Sequence, residues 1–140
     1  LNINGTIPQN SVVSVSNIKD AWGRDVKNTF STGLSLGTAK ITAADGTEIT
    51  EGTALSAGVY TYTVSGITNG TDNAADISAI LALFDSNKNL VSIAIDSKSF
   101  AKGSVGGELC AELTVPENAA GGTLKSFIWN TKNLAPYTNR

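Results

Sequence analysis

The stretch from residue 77 to residue 96, ISAILALFDSNKNLVSIAID, decides how the chain folds. Asp85, Asn87 and Asn89 stand at alternate positions, and Asp96 is the twelfth residue counted from Asp85. This is the ligand spacing of a helix-loop-helix calcium site. The same letters also suit the turn of a β-hairpin, so the neighbouring residues have to separate the two structures.

Two positions in this stretch argue against the calcium loop. Such a loop needs Gly at its sixth position for a sharp turn, and Leu90 stands there. Its twelfth position needs a long carboxylate that binds through both oxygens, and Asp96 is short. The flanking segments, SAILALF and LVSIAI, are also typical of strands rather than helices.

The apolar residues after the turn favour the hairpin. A calcium loop would expose Val91, Ile93 and Ile95, whereas a strand can bury all three on one face. We expect that face to pack against a second sheet, with each side chain contributing about 1.5–3 kcal/mol. The sequence therefore predicts a hairpin with the turn DSNKN, in which Asp85 accepts hydrogen bonds from the local backbone.

Other segments extend the strand pattern over the chain. TAKITAADGTEIT places Asp45 and Gly46 between two strand-like runs, GVYTYTVSGIT and GELCAELTVP alternate, and ADISAILALF is apolar on both faces. We predict an all-β fold, an antiparallel two-sheet β-sandwich of immunoglobulin-like type, as a single domain over residues 1–140. The expected core residues are Ile80, Leu81, Leu83, Ile93, Leu113 and Ile128.

Composition narrows the chemistry. The chain has no His, one Cys and a net charge of -2, so His-dependent triads and His-based zinc sites are excluded. Without a basic run or a long apolar run, nucleic acid and membranes are not expected partners. We expect no enzyme activity, catalytic residue, metal ligand or cofactor. Structural calcium at the turn near Asp72, Asn73 and Asp76 stays open as an alternative.

The second half of the chain resembles a module of secreted Gram-positive bacterial proteins. In that module an aromatic-Asp pair, here Phe84-Asp85, precedes a turn and a Leu-Val strand, here Leu90-Val91. Its last strand ends in Phe-apolar-Trp-Asp and an apolar-Pro dipeptide, matched by residues 127–130 and 135–136. Asn130 replaces the usual Asp, and the resemblance covers about residues 74–137.

The resemblance implies an immunoglobulin-like or fibronectin-type-III-like sandwich, secreted or held at a bacterial cell surface. Such modules accompany polysaccharide-degrading enzymes or belong to surface proteins. The chain begins LNINGTIPQ without an initiator Met, so we expect a domain excised from a larger protein. Its expected role is that of a non-catalytic accessory module, with neighbouring domains of the parent chain among its partners.

Carbohydrate binding is the first functional hypothesis, with plant or cell-wall polysaccharide as the partner. Sugars present apolar C–H faces, so their sites use exposed aromatic rings edged by polar groups. Trp22 lies in the polar stretch IKDAWGRD and is the leading candidate ring; its alternative is a plug at one end of the sandwich. The candidate binding residues are Trp22, Asp20, Asp25, Tyr60, Tyr62 and Tyr137.

Burial is the competing interpretation for the remaining aromatics. Tyr60 and Tyr62 share a strand face with Val64, as core residues do. Phe127 and Trp129 share a face of the last strand, which we expect the LAPY tail to cover. Two other functions stay open: a structural spacer, and an adhesin or surface-filament domain without glycan binding.

Overall fold

The computed structural model describes residues 12–19, 25–31 and 33–137. These residues include ten strands and one short 3-10 helix, Glu117–Ala119. Within the described ranges, no helix is long and apolar enough to cross a membrane. The strands are β1 (Val12–Lys19), β2 (Asp25–Ser31), β3 (Leu34–Ser35), β4 (Ala39–Ala43), β5 (Glu48–Ile49), β6 (Gly58–Asn69), β7 (Ala75–Phe84), β8 (Leu90–Phe100), β9 (Gly107–Val115) and β10 (Thr123–Asn130).

Two antiparallel sheets form the body of the domain. The β7 sheet has three strands in the order β10-β7-β8. In the β6 sheet, β6 pairs with β3, β4 and β9, and β5 pairs with β4. Strands β1 and β2 form a separate antiparallel hairpin. The predicted all-β class and the two antiparallel sheets are confirmed.

One face of each sheet supplies the core, as the alternation in the sequence predicts. Every second residue of β6 and β9 is buried, because successive side chains of a strand point to opposite faces. Among the six expected core residues, five are buried and Ile93 is not. The largest inward side chains are Tyr60, Tyr62 and Val64 of β6, Ile77, Leu81 and Leu83 of β7, Leu109, Leu113 and Val115 of β9, and Leu124 and Ile128 of β10.

The β7–β8 connection is the predicted hairpin turn. Asp85 Oδ1 accepts from the backbone N–H groups of Asn87 and Asn89, both at 2.8 Å, and Asn89 Nδ2 donates to Asp85 Oδ2 at 3.1 Å. Lys88 takes a positive φ of 67° to close the turn. Asp96 lies well away along β8, where it accepts from the Cys110 N–H at 2.8 Å. The calcium-loop alternative therefore fails, because Asp85 is occupied by its own turn.

The residues of the open calcium alternative have protein partners. Asp72 pairs with Lys102 at 2.6 Å, and Asp76 pairs with Lys132 at 2.8 Å. The backbone carbonyl of Asn73 accepts from the side chain of Asn69. In the described ranges, no group of three or more His, Cys, Asp and Glu side chains is placed to hold a metal ion.

Carboxylates in the turn and on the surface make the free energy of unfolding depend on pH in the acid range. The pKa of Asp85 is lowered from its usual 3.8, first by the Asn89 side chain and then by the Asn89 N–H. Lys102 lowers the pKa of Asp72, and Lys132 lowers that of Asp76. A carboxyl whose pKa falls on folding adds stability above its unfolded pKa, and this is lost as pH falls through the folded pKa.

We therefore expect the free energy of unfolding to decline as pH falls below about 4, near the unfolded pKa of an Asp. Urea unfolding at pH 7 and pH 3 measures this decline. Asp85→Asn should reduce the decline without abolishing it, because Asp72 and Asp76 still titrate. Ser86→Ala, in the same turn, should keep the wild-type dependence. An unchanged decline in Asp85→Asn would show that this carboxylate does not support the turn.

Candidate functional site

The outward faces of the two sheets differ in character. On the β6 sheet, Thr61 and Thr63 of β6 pair with Glu112 and Cys110 of β9. On the other side of β6, Thr61 and Thr63 pair with Thr42 and Lys40 of β4. This surface is rich in hydroxyl and charged groups, as is usual for a sheet with one face in water.

The outward face of the β7 sheet is mostly apolar, and we call it the outer face. Because the strands are in register, its side chains form rows that run across β10, β7 and β8. The successive rows are Trp129–Ser78–Ser97, Phe127–Ile80–Ile95 and Lys125–Ala82–Ile93. Ile80 is only 6% exposed, because its neighbours in the row stand on both sides of it.

Strand β8 leaves large aliphatic side chains in solvent on this face. Val91, Ile93 and Ile95 are 45%, 51% and 57% exposed, and Leu90 is 58% exposed. The expectation that they pack against a second sheet is therefore wrong. The reason is register: Leu81 points into the core and pairs with Ala94, so the residues on either side of Ala94 must point outward.

The aromatic pair of β10 borders these aliphatic residues. The ring centroids of Phe127 and Trp129 lie 5.7 Å apart with the planes tilted by 55°, and both side chains are partly exposed. At the other end of the face, Lys125 Nζ lies 5.4 Å from the centre of the Phe84 ring, as in a cation–π contact. The outer face thus combines aromatic and branched aliphatic groups with few charges.

The LAPY tail lies beside β10 rather than over its aromatic rings. Pro136 pairs with Trp129 through the backbone, and the Tyr137 N–H donates to the Ile128 carbonyl at 2.8 Å. Tyr137 packs against the core and accepts a hydrogen bond from Asn130 Nδ2 at 2.8 Å. The expected cover of Phe127 and Trp129 by this tail is therefore wrong.

One end of the outer face is polar, and we call it the polar end: Asp76, Ser78, Ser97, Ser99, Thr131 and Lys132. The Ser78 hydroxyl lies 2.8 Å from the Ser97 hydroxyl and 2.9 Å from the Thr131 hydroxyl. The Asp76 carboxylate pairs with Lys132 at 2.8 Å, which lowers the pKa of Asp76 and raises that of Lys132. All six except buried Ser78 line a shallow depression next to the Trp129 row, together with Lys98.

The tyrosines proposed as sugar platforms lie elsewhere. Tyr60 and Tyr62 are 6% and 4% exposed, and the Tyr60 hydroxyl donates to the Ser56 carbonyl at 3.0 Å. Their rings are largely buried under the β6 sheet, so neither is an exposed platform for a stacked sugar, although each contributes to the wall of a shallow surface pocket. Tyr137 is partly buried against the core, so its ring is not an open platform either.

The other three side chains of the predicted site lie outside the described part of the structure. Trp22 and Asp20 lie outside the described residues. Asp25 begins β2, but its side chain is also outside the description. The surface that the described residues do assemble, with Phe127, Trp129 and the exposed β8 side chains, contains none of the six predicted binding residues.

Side chains occupy part of one edge of each sheet. On β9, the Cys110 N–H donates to Asp96 and the Glu108 carbonyl accepts from Lys98 Nζ at 2.9 Å. On β10, Glu51 Oε1 accepts from the backbone N–H of Ser126 at 3.0 Å and from the Ser126 hydroxyl. These contacts occupy some of the backbone groups to which an added strand would bond on β9 and β10.

Comparison of the chain with protein-family models, curated proteins and solved structures finds no match.

Proposed function

We propose that this domain is a non-catalytic accessory module of immunoglobulin-like type that docks onto a neighbouring domain through its outer face. The exposure of Val91, Ile93 and Ile95 beside the Phe127–Trp129 pair carries the proposal. A contiguous apolar surface rimmed by polar residues usually marks an interaction site in a soluble protein.

Burial of this face would be favourable. Each square ångström of apolar surface removed from water contributes about 25 cal/mol, so three half-exposed aliphatic side chains and two rings form an effective anchor. The outward face of the β6 sheet offers no such gain, because Thr61, Thr63 and Glu112 would lose hydration on contact. The domain therefore has one face suited to docking and one suited to solvent.

A protein surface is the partner that suits the apolar end of the outer face. Branched aliphatic side chains such as Ile93 and Ile95 offer no hydrogen bonds to a sugar but interdigitate well with apolar protein groups. Lys125 is the only charged residue in the three central rows of this face, so little charge has to be desolvated. Contacts of this kind between domains of one chain are moderate in size and allow some relative motion.

The sequence resemblance supplies the setting of the proposal. Residues 74–137 resemble accessory modules of secreted Gram-positive bacterial proteins, which supports a secreted or cell-surface parent that acts on polysaccharide. In that setting a docked sandwich positions a catalytic domain relative to the cell wall. An adhesin or filament subunit would use the same apolar face between successive domains.

Substitution of the exposed β8 residues tests whether the face is free. In the isolated domain, a dye that fluoresces on apolar surface should bind the native protein, and Ile93→Ser with Ile95→Ser should abolish that signal. Because these side chains are 51% and 57% exposed, each change should alter the free energy of unfolding by only about 0.5 kcal/mol. Val105→Ser, at an isolated residue that is 79% exposed, should keep the dye signal.

Cysteine labelling tests the docking itself. In a Cys110→Ser background, Ile95→Cys should react quickly with a thiol reagent in the isolated domain and slowly in the intact parent protein. Val105→Cys should react equally in both. Equal reactivity of Ile95→Cys in the two contexts would overturn the docking proposal, as would a loss of several kcal/mol in the serine variants.

A further inference from the structure

Docking through the apolar end of the outer face does not explain the polar side chains that gather at the polar end. Polar side chains from β7, β8 and the turn after β10 meet there in a depression next to the row that contains Trp129. We propose that Trp129 and the polar end form a binding subsite for a neutral sugar residue of a polysaccharide. This inference goes beyond the docking function and uses a different part of the same face.

The strand register brings the ring and the hydroxyl groups together. Trp129, Ser78 and Ser97 form one row across β10, β7 and β8. Thr131 lies in the turn directly after β10, and its hydroxyl lies 2.9 Å from that of Ser78. A sugar ring has an apolar C–H face and a rim of hydroxyl groups, so a ring beside hydroxyl groups complements both.

The hydroxyl cluster has capacity for a ligand. Each hydroxyl provides one donor and two acceptor positions. Ser78 is buried at 6% exposure and is engaged by two neighbours, so it serves to orient Ser97 and Thr131. Those two residues are exposed and keep hydrogen-bonding positions that face solvent.

The charges at this end favour an uncharged ligand. Asp76 and Lys132 carry opposite charges 2.8 Å apart, so they largely offset each other. The Asp76 side chain is 22% exposed, and its carboxylate can accept hydrogen bonds from adjacent sugar hydroxyls. Lys98 also lines the depression, but its Nζ lies 3.5 Å from Asp96 Oδ2, so a strongly charged polymer would find little net counter-charge here.

A single half-buried ring supports weak binding, of about millimolar dissociation constant for one sugar residue. Native electrophoresis in gels that contain a neutral polysaccharide detects such binding. The panel is xylan, mixed-linkage β-glucan, galactomannan and hydroxyethylcellulose, with polygalacturonate as a charged comparison. We expect at least one neutral polymer to retard the domain and polygalacturonate to leave its mobility unchanged.

Two kinds of variant separate binding from folding. Trp129→Ala should raise at least tenfold the polymer concentration that is needed for the same retardation. The ring also contacts its neighbours, so Ser97→Ala with Thr131→Val provides a second test at exposed positions. This double variant should weaken retardation several-fold while circular dichroism shows that it stays folded, although buried Ser78 loses both hydroxyl partners and the melting temperature falls.

The control variant is Ile93→Ser with Ile95→Ser, which changes the apolar end. It should lose dye binding but keep retardation, whereas Trp129→Ala should lose retardation; the failure of one proposal is thus distinguishable from failure of the other. Lack of retardation by every neutral polymer would overturn the sugar subsite. The proposal would also fail if the Ser97→Ala, Thr131→Val protein were retarded as strongly as the wild type. It would fail likewise if the Ile93→Ser, Ile95→Ser protein lost as much retardation as Trp129→Ala.

Discussion

Leu81→Ala should lower the free energy of unfolding by about 2–5 kcal/mol, the range for removal of a large buried aliphatic group. Leu81 is 0% exposed and sits on the central strand β7. Its register neighbours are Ala94 and Ser126, both small, so neither can fill the cavity that Ala leaves. Urea unfolding monitored by tryptophan fluorescence measures the loss as a shift of the midpoint at constant slope.

Ile93→Ala is the matched control for this prediction. Ile93 lies on the adjacent strand of the same sheet, but it is 51% exposed. Its truncation should change the free energy of unfolding by about 0.5 kcal/mol or less, as is usual for surface positions. Similar losses in Leu81→Ala and Ile93→Ala would contradict the register that points one inward and the other outward.

Asn69→Ala should be the most damaging change at a polar position. Asn69 is 0% exposed, and its Nδ2 donates to the carbonyls of Phe100 and Asn73, both at 2.8 Å. Its Oδ1 accepts from the N–H and the hydroxyl of Thr71. The side chain thus connects the end of β6 with the β6–β7 loop and the end of β8. Loss of a buried partner leaves a polar group unsatisfied at about 1–3 kcal/mol.

Two further variants identify the interaction that matters at this position. Asn69→Asp keeps the acceptor for Thr71 but turns an oxygen toward two carbonyl oxygens, so at neutral pH it should destabilise at least as much as Asn69→Ala. Thr71→Val removes the hydroxyl, which also lies 2.8 Å from the Asn73 carbonyl, but keeps both bonds from Asn69 Nδ2, so it should be milder. Urea unfolding of the three proteins ranks them. A Thr71→Val loss equal to that of Asn69→Ala would show that the Phe100 contact adds nothing.

The strands and turns follow from local sequence. Asp85 closes its turn as predicted, and at the β4–β5 turn Asp45 Oδ1 accepts from the Thr47 N–H while Gly46 adopts φ 85°. These features depend on residues a few positions apart, where side-chain chemistry determines the backbone. The alternation of β6 and β9 likewise separates core from solvent without knowledge of the rest of the chain.

The exposure of β8 was not predictable in the same way. The letters LVSIAID show that Val91, Ile93 and Ile95 share a face, but not whether that face meets the other sheet. The apolar residues on both faces of β7 suggested cover from two layers. The structure shows that Ile80 is instead covered from the sides by Phe127 and Ile95 within one sheet.

The candidate site could be predicted only in part. The shared face of Phe127 and Trp129 is visible in the sequence, whereas its exposure depends on the path of the LAPY tail. The hydroxyl groups of Ser78 and Ser97 come from paired strands and that of Thr131 from the turn after β10, so the pairing of β7 with β8 and β10 is needed to assemble them. Burial of Tyr60 and Tyr62 agrees with the alternative that placed them with Val64 in the core.

The capped edges have a consequence for the behaviour of this domain at high local concentration. An uncapped edge is a template for amyloid-like growth, in which strands of other molecules add without limit. Here Asp96 and Glu51 hold the N–H groups of Cys110 and Ser126 from outside the sheet. Where copies crowd together, these two contacts oppose strand addition at one edge of each sheet, whereas the exposed β8 side chains favour contact through the outer face.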